Sequence, residues 1–505
     1  MSERTRRSIV AVSINSAIAI VLAGCAVGPD YRRPDEKLPA DYGAQIPTST
    51  SDSTVGIPND WWKLYNDPLL DDLVNKALAN NPDIRLAIAR IDEARAALRE
   101  TNAAFFPEID LNGAGARQRI GVAGGSTAAS TTAGVGQVAY GNFFQLEAGI
   151  SYELDFWGRL RRASESSRAA LLATTYARDV TALSLATTTT QSYFALRSLD
   201  AQIAVTQGTY QAVDESLGIA KKRLDAGYAS GLDYAQAQTL QAQIAVQLRD
   251  LRRQRAVQEH QLGNLTSDLS LRIEPGNLDN LPVPDSPPAG LPSTLLERRP
   301  DVRSAEQQLV AANAQIGFYK AALFPTFRLT GAYGGQSFEL SDLLKAPFRF
   351  WSIGLGITEP IFAAGKYVAR VDQARARTDQ QVASYQKTVE GAFQEVADAL
   401  TNVSESAAAE IEVKTQVEAA RRTLRLSRAR YQQGYSGYLD VLDATRTTNG
   451  AELLLVQNRQ ARLNYTVDLI KALGGGWGNG DLQSSGIPIQ PAQPLDSVSA
   501  PPPLR

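Results

Sequence analysis

The residues of this chain able to act on a solute are mostly carboxylates gathered at two turns. Asp233 follows Gly227 by six residues, and Asp440 follows Gly434 by the same interval. Asp443 comes three residues after Asp440, which puts both on one helical face. One acid in the first turn of a helix favours its dipole by ~0.3–1 kcal/mol. Two acids on one face repel, so the dipole does not explain both. Clustered carboxylates attract cations and screen anions. A different chemistry attaches to Cys25, the only cysteine. Arg4, Arg6 and Arg7 precede an uncharged, mostly apolar run from Ile9 to Leu22, and Leu22-Ala23-Gly24-Cys25 closes it. This reads as a secretory signal ending in a lipobox. Cleavage before Cys25 would leave a thiol that carries diacylglycerol. Ala26, not an aspartate, follows, a pattern that resembles outer-membrane sorting.

Catalytic constellations do not emerge. His260 is the only histidine and reads as a polar position on a helix face. Gly113-Ala114-Gly115 lacks the third glycine of a dinucleotide loop. There is no P-loop and no paired His/Cys set for a metal. A net charge of −2 over 505 residues is too near neutral to suggest nucleic acid. The clusters Arg252, Arg253, Arg255 and Arg159, Arg161, Arg162 read as solvated or salt-bridged helix faces. The second lies just after a strand, where contacts to lipid head groups add to that role.

The elements that must position these residues are written twice. Asn81-Pro82-Asp83-Ile84-Arg85 recurs as Arg299-Pro300-Asp301-Val302-Arg303, 218 residues later. Phe105-Phe106-Pro107 recurs as Leu323-Phe324-Pro325 at the same offset. The offset then drops to 207. Gly149-Ile150-Ser151 matches Gly356-Ile357-Thr358, Gly158-Arg159 matches Gly365-Lys366, and Gly227-Tyr228 with Leu232-Asp233 matches Gly434-Tyr435 with Leu439-Asp440. Proline is absent from 108–274 and from 361–487. Proline inside a helix costs ~3 kcal/mol, so these windows admit long helices, expected at about 159–226 and 366–433. A helix of that length spans roughly 100 Å. Each breaks at a Gly-Tyr turn, where the glycine suits the left-handed position that ends a helix. Return helices are expected at about 231–265 and 438–472.

Between the helices lie strands. Phe144, Leu146, Ala148, Ile150, Tyr152, Leu154 and Phe156 alternate with polar or small residues, a period of two. Trp351, Ile353, Leu355, Ile357 and Ile361 repeat the pattern, with hairpin partners at about 107–120 and 325–337. Strands of this length cross a bilayer when tilted. Four strands cannot close a barrel, and an open edge in lipid is not tolerated. Several chains must therefore each donate four, and three chains give twelve. The expected organisation is a signal at 1–24 and an extended arm at 25–60. A first repeat follows at 61–274 with its hairpin at 107–157, then a Pro-rich connector at 275–292. A second repeat at 293–473 has its hairpin at 325–363, and a Gly/Pro-rich tail occupies 474–505. Thr294 and Glu297 resemble a capping box opening the second repeat's first helix.

On these residues the chain resembles the outer-membrane factors of tripartite efflux pumps, the TolC-like proteins, in their lipoprotein branch. The motifs are Leu22–Cys25, Trp61-Trp62, Asn81-Pro82-Asp83, Phe106-Pro107, Phe156-Trp157-Gly158-Arg159, Gly227 to Asp233, Glu297 to Asp301, Gly434 to Asp443 and Ala472 to Trp477. They cover about 60–477 in family order. The resemblance implies a mainly α protein with membrane β-structure: a homotrimer with one twelve-stranded outer-membrane barrel and an α-barrel across the periplasm. It implies docking to a periplasmic adaptor and an inner-membrane pump, no cofactor beyond the lipid on Cys25, and no enzyme activity. It places Asp440 and Asp443 at the periplasmic constriction, six carboxylates per trimer. It makes Tyr431, partnered by Asp233, part of the bonds that hold the gate shut. Gly227, Tyr228, Leu232, Gly434, Tyr435 and Leu439 become the adaptor-docking tips. The family's gate arginine is replaced by Ser436, and Lys221, Lys222, Arg223, Arg428 and Arg430 are nearby substitutes. The expected function is passive efflux of drugs or other small molecules. A duct for exported proteins on the same fold, and a non-conducting coiled-coil lipoprotein scaffold, are the alternatives. The alternating hairpins argue against the scaffold.

Overall fold

The computed structural model describes residues 26–35, 39, 42, 57–121, 138–228, 230–284 and 298–475. Cys25, the Thr294–Glu297 capping box and the tail from Gly476 onward lie outside them. Two helices open the first repeat, α1 (Pro68–Asn80) and α2 (Pro82–Ala103), each with proline at its first position, where no amide hydrogen is needed. Asp67 caps α1, accepting from the Leu69 amide at 2.9 Å. Next come β1 (Glu108–Gly121), β2 (Val138–Leu154), α3 (Arg159–Asp225) and α4 (Gly231–Leu265). The second repeat supplies α5 (Pro300–Ala321), β3 (Thr326–Ser337), β4 (Arg349–Thr358), α6 (Lys366–Gln432) and α7 (Tyr438–Ala472). The fold is mainly helical with four antiparallel strands among the described residues, and α3 and α6 are each 67 residues long.

Two compact units form. The first holds the described residues of Met1–Pro34, Arg90–Thr174 and Ala305–Tyr385. Its sheet is a meander in the order β1-β2-β3-β4. The two hairpins have the same register under the two offsets: Asn112 faces Glu147 in the first, and Thr330 faces Gly354 in the second.

The second unit holds the described residues of Asp35–Ala89, Thr175–Ser304 and Gln386–Arg505. Trp61 and Trp62 lie in a 3-10 turn, Trp61–Tyr65, and are buried with Tyr65 against Tyr193, Phe194, Leu262, Leu463 and Val467. Burying an aromatic side chain of this size contributes ~2–3 kcal/mol. The Tyr65 hydroxyl pairs with Thr466 Oγ1 at 2.8 Å. Beside this core runs a buried chain of polar groups. Tyr193 donates to Asp67, Arg197 Nε donates to the Tyr193 hydroxyl at 2.9 Å, and Arg197 and Arg255 share Asp200 at 3.1 and 2.6 Å. Arg255 also donates to the Ile273 carbonyl at 2.6 Å, and Asp200 accepts from the Gly276 amide at 3.0 Å. The chain leaving α4 is thereby fixed to the helices. Arg255 thus differs from Arg252 and Arg253, which are exposed.

Candidate functional site

The helix-turn tips belong to the second unit and repeat one geometry. Gly227 has φ +76° and Gly434 has φ +80°. The Gly227 amide donates to the Leu224 carbonyl at 2.9 Å, and the Tyr228 amide to the Arg223 carbonyl at 2.8 Å. Gly434 and Tyr435 do the same with Tyr431 at 3.1 Å and Arg430 at 2.9 Å. This double bond pattern satisfies carbonyls that a helix end otherwise leaves open. Ser230 then caps α4, its hydroxyl accepting from the Asp233 amide at 3.1 Å. Gly437 stands at the corresponding position before α7 without a side-chain cap.

Each tip ends in exposed apolar side chains. Tyr228 is 87% exposed, Leu232 66%, Tyr435 74% and Leu439 60%. Beneath them the hairpins are held by Val213, Ala220, Leu240, Tyr438, Val441 and Leu442. The tips therefore stand on a packed base and leave apolar surface exposed.

On α7 the acids fall on the exposed face, away from the packed base and beside Leu439. Asp440 and Asp443 are exposed, whereas Val441, Leu442, Ala444 and Thr445 are buried. Among the described residues neither carboxylate has a hydrogen-bond or ion-pair partner. Asp233 is half-buried. Within the chain no hydrogen bond joins it to Tyr431. The Tyr431 ring instead packs 5.2 Å from that of Tyr438 and lies under the Arg223 guanidinium, 5.1 Å from the ring centre. Arg223 is thus the member of the basic group that reaches Tyr431. Ser436, in place of the family arginine, is half-buried, and among the described residues its hydroxyl has no hydrogen-bond partner. Burial raises the pKa of the Tyr438 phenol; Tyr431 and Asp233 add to the rise, while Arg428 and Ser216 oppose it.

The sheet in the first unit is chemically two-faced. Along one face run Ile109, Leu111, Ile150, Leu329, Tyr333, Trp351, Ile353, Leu355 and Ile357, all exposed. The registers bring Tyr333 opposite Trp351 and Leu329 opposite Leu355. The other face carries Asp110, Asn112, Glu147, Glu153, Arg328 and Thr330. No described helix is long and apolar enough to cross a membrane. An apolar exposed face backed by a polar one suits strands that separate lipid from water.

A third feature escaped the sequence. The residues after Cys25 are fixed to the first unit. The Val27 amide donates to the Trp157 carbonyl at 3.0 Å, and Asn313 Nδ2 to the Pro29 carbonyl at 3.0 Å. Asp30 pairs with the buried Arg162 at 2.7 Å. Arg33 grips Glu306 through two bonds of 2.7 and 2.8 Å, and Tyr31 donates to the same carboxylate. Gly28, at φ +120°, lies so close to Gly317 that an added Cβ would sit 2.5 Å from its Cα. Arg162 accordingly serves the arm, while Arg159 and Arg161 pair with Glu153 and Asp155. A glycine inside α5 was the only sequence signal for this contact.

Comparison with known proteins gives the family and the fold. A sequence model of the outer membrane efflux protein family matches residues 73–267 and 291–475, one match per repeat. The probable efflux pump outer membrane protein TtgC of Pseudomonas putida is 32% identical, over 91% of this chain and 94% of its own. The solvent efflux pump outer membrane protein SrpC of Pseudomonas putida is 34% identical, over 91% and 97%. Among solved structures, the CmeC outer membrane channel of Campylobacter jejuni superposes with a TM-score of 0.82 at 26% identity, covering 92% of this chain and 97% of its own.

Proposed function

Because the chain belongs to the outer membrane efflux protein family, we propose that three copies form the passive exit duct of a tripartite efflux pump. The observation that carries this reading is the two-faced sheet with both edges open. Among the described residues β1 and β4 each pair on one side only, and an unpaired edge within lipid costs several kcal/mol per unsatisfied group. Closure with two further copies supplies twelve strands, within the range of known barrels. Alternation then turns Leu111, Ile353 and Leu355 to lipid and Asp110, Asn112 and Thr330 to the lumen.

The remaining parts follow from the helical hairpins and the arm. The apolar tips at Tyr228, Leu232, Tyr435 and Leu439 are the docking surface for a periplasmic adaptor, which links the duct to an inner-membrane pump. The free carboxylates of Asp440 and Asp443 face solutes at the lumen entrance. A lipid on Cys25 tethers the mature chain next to the anchored arm that begins at Ala26. The duct moves solutes without chemistry, so its substrates are those the pump supplies.

The test is reconstitution. Detergent-solubilised protein should scatter light as three chains and open discrete conductances in planar bilayers. A monomer with an intact β-spectrum, or a trimer that does not conduct, sinks the reading.

A further inference from the structure

The boundary between the two repeats within one chain is a template for the boundary between chains. β2 and β3 come from different repeats and pair from Phe144 opposite Ser337 to Leu154 opposite Phe327. β2 corresponds to β4 at the offset of 207, and β3 to β1 at 218. The identical hairpin registers show that both offsets hold in three dimensions. The free edge of β4 is therefore the counterpart of the edge of β2 that β3 covers. The free edge of β1 is likewise the counterpart of the edge of β3 that β2 covers. A head-to-tail contact repeated by a rotation that closes makes a ring.

The side chains at these edges fit the same contact. Ile150 lies opposite Gly331, and a Cβ on Gly331 would fall 2.7 Å from Ile150 Cγ2. The isoleucine fills the space that the glycine leaves. Their counterparts are Ile357 and Gly113, again an isoleucine and a glycine. Within one chain both lack that partner. Ile357 is 61% exposed, and the atom nearest a Cβ on Gly113 is Leu146 Cδ1 at an ordinary 3.7 Å. Below the strands, Arg159 stands over the Phe318 ring at 5.4 Å. The counterparts there are Lys366 and Glu100, opposite charges, both exposed.

We propose that the copies join through a β4–β1 seam in which Thr358 faces Asn112 of the next copy and Ile357 faces its Gly113. Lys366 then meets Glu100 of that copy. The inference rests on the trimeric reading above and adds the register, the interlocking pair and the ion pair that select it. A one-residue slip would turn the apolar face inward; a two-residue slip would set Ile357 opposite Leu111 in one direction or Gly115 in the other, and in either direction would draw Lys366 away from Glu100.

Cysteine pairs in the full-length chain in native outer membranes test it. Asn112→Cys with Thr358→Cys should give an oxidant-dependent covalent trimer, because directly opposed residues bring Cβ atoms within ~4.5–5.5 Å. Asp110→Cys with Thr358→Cys, two residues out of register, should not, because diagonal neighbours stand roughly 7–8 Å apart. Single variants control for Cys25. Separately, Gly113→Leu should lower trimer yield roughly tenfold through overpacking, and adding Ile357→Ala should restore it. Cross-linking of the shifted pair, or of neither pair in a protein that scatters as a trimer, overturns the register while leaving the trimer intact. Wild-type trimer yield in Gly113→Leu overturns the interlock. A protein that is monomeric throughout overturns this inference together with the reading it rests on.

Discussion

Arg299 donates from Nη1 to the carbonyl of Ala472, the last residue of α7, at 3.0 Å. Asn81, its counterpart in the first repeat, donates from Nδ2 to the carbonyl of Leu265, the last residue of α4, at 2.9 Å. Two different side chains thus serve the same helix end, and each stands just before the proline that opens the next helix. Arg299 also pairs with Asp301 at 2.6 Å and Glu395 at 2.7 Å, and Asn81 caps α2 through the Asp83 amide at 2.8 Å. The duplication has kept the task while changing the residue.

Removing either donor leaves a helix-end carbonyl without its partner. Asn81→Ala should therefore cost about 1–3 kcal/mol, with part of that loss in the cap. Arg299→Ala should cost at least as much, since Asp301 and Glu395 lose their cation as well. Thermal unfolding followed by circular dichroism measures both, and unchanged midpoints would show that water replaces the bonds.

The tip glycines make a cleaner backbone test. A Cβ on Gly434 meets nothing within 4 Å, so any penalty for Gly434→Ala is conformational. A non-glycine residue at positive φ costs roughly 1–2 kcal/mol, and a loss of that order is expected. Gly437, at φ −70°, should accept alanine with little change. Equal effects at the two positions would assign the loss to crowding at the tip instead.

Much of this fold was legible because it is periodic. Alternation along Phe144–Phe156 and Trp351–Ile357 located two strands, and the proline-free windows hold α3, α4, α6 and α7. The tip glycines were legible because only a few residue types end a helix in the left-handed conformation. Contacts between distant residues leave no such trace. Arg255 follows three exposed residues in sequence yet reaches Asp200, 55 residues away. The arm's Arg33 finds Glu306 at a separation of 273. Tyr431 could be matched to a family tyrosine, but its place under Arg223 depends on how two helical hairpins pack.

The lipid at Cys25 is tested by mass. Wild-type protein should carry diacylglycerol and an N-linked acyl chain on Cys25, with cleavage just before it. Cys25→Ser should lose both and still fold, since each buried methylene of an acyl chain contributes only ~0.8 kcal/mol and the barrel holds the chain in the membrane independently. An unmodified Cys25, or cleavage elsewhere, would refute the lipobox.

A half-buried carboxylate gives the second unit a pH response. Burial pushes the Asp468 carboxyl up, while Gln191, donating at 2.7 Å, and Lys471 pull it down. The net shift is upward, so the folded state binds this proton more readily than the unfolded chain. Ionised Asp468 therefore costs stability above its folded pKa. That cost is relieved as pH falls through the folded pKa towards the ordinary ~3.9. Asp468→Asn should be at least as stable as wild type at pH 7 and lose the advantage in acid. Melting temperatures of both proteins across this range decide it. A difference that does not vary with pH would remove the carboxylate from the response.

Asp440 and Asp443 carry the functional prediction. They are exposed, unpaired among the described residues and three residues apart on α7, so three copies place six carboxylates near one opening. Replacing both with Asn removes those charges while keeping side-chain size and some capping ability. Trimer stability should change little, because neither side chain makes a hydrogen bond among the described residues. Cation selectivity should weaken, and block by multivalent cations added from the periplasmic side should be lost. Both effects should shrink as salt rises, since the Debye length is ~8 Å at physiological ionic strength. Reversal potentials across a salt gradient measure the selectivity directly. If the double variant leaves them unchanged, the carboxylates point away from the lumen, and their role reduces to placing negative charge near the start of a helix.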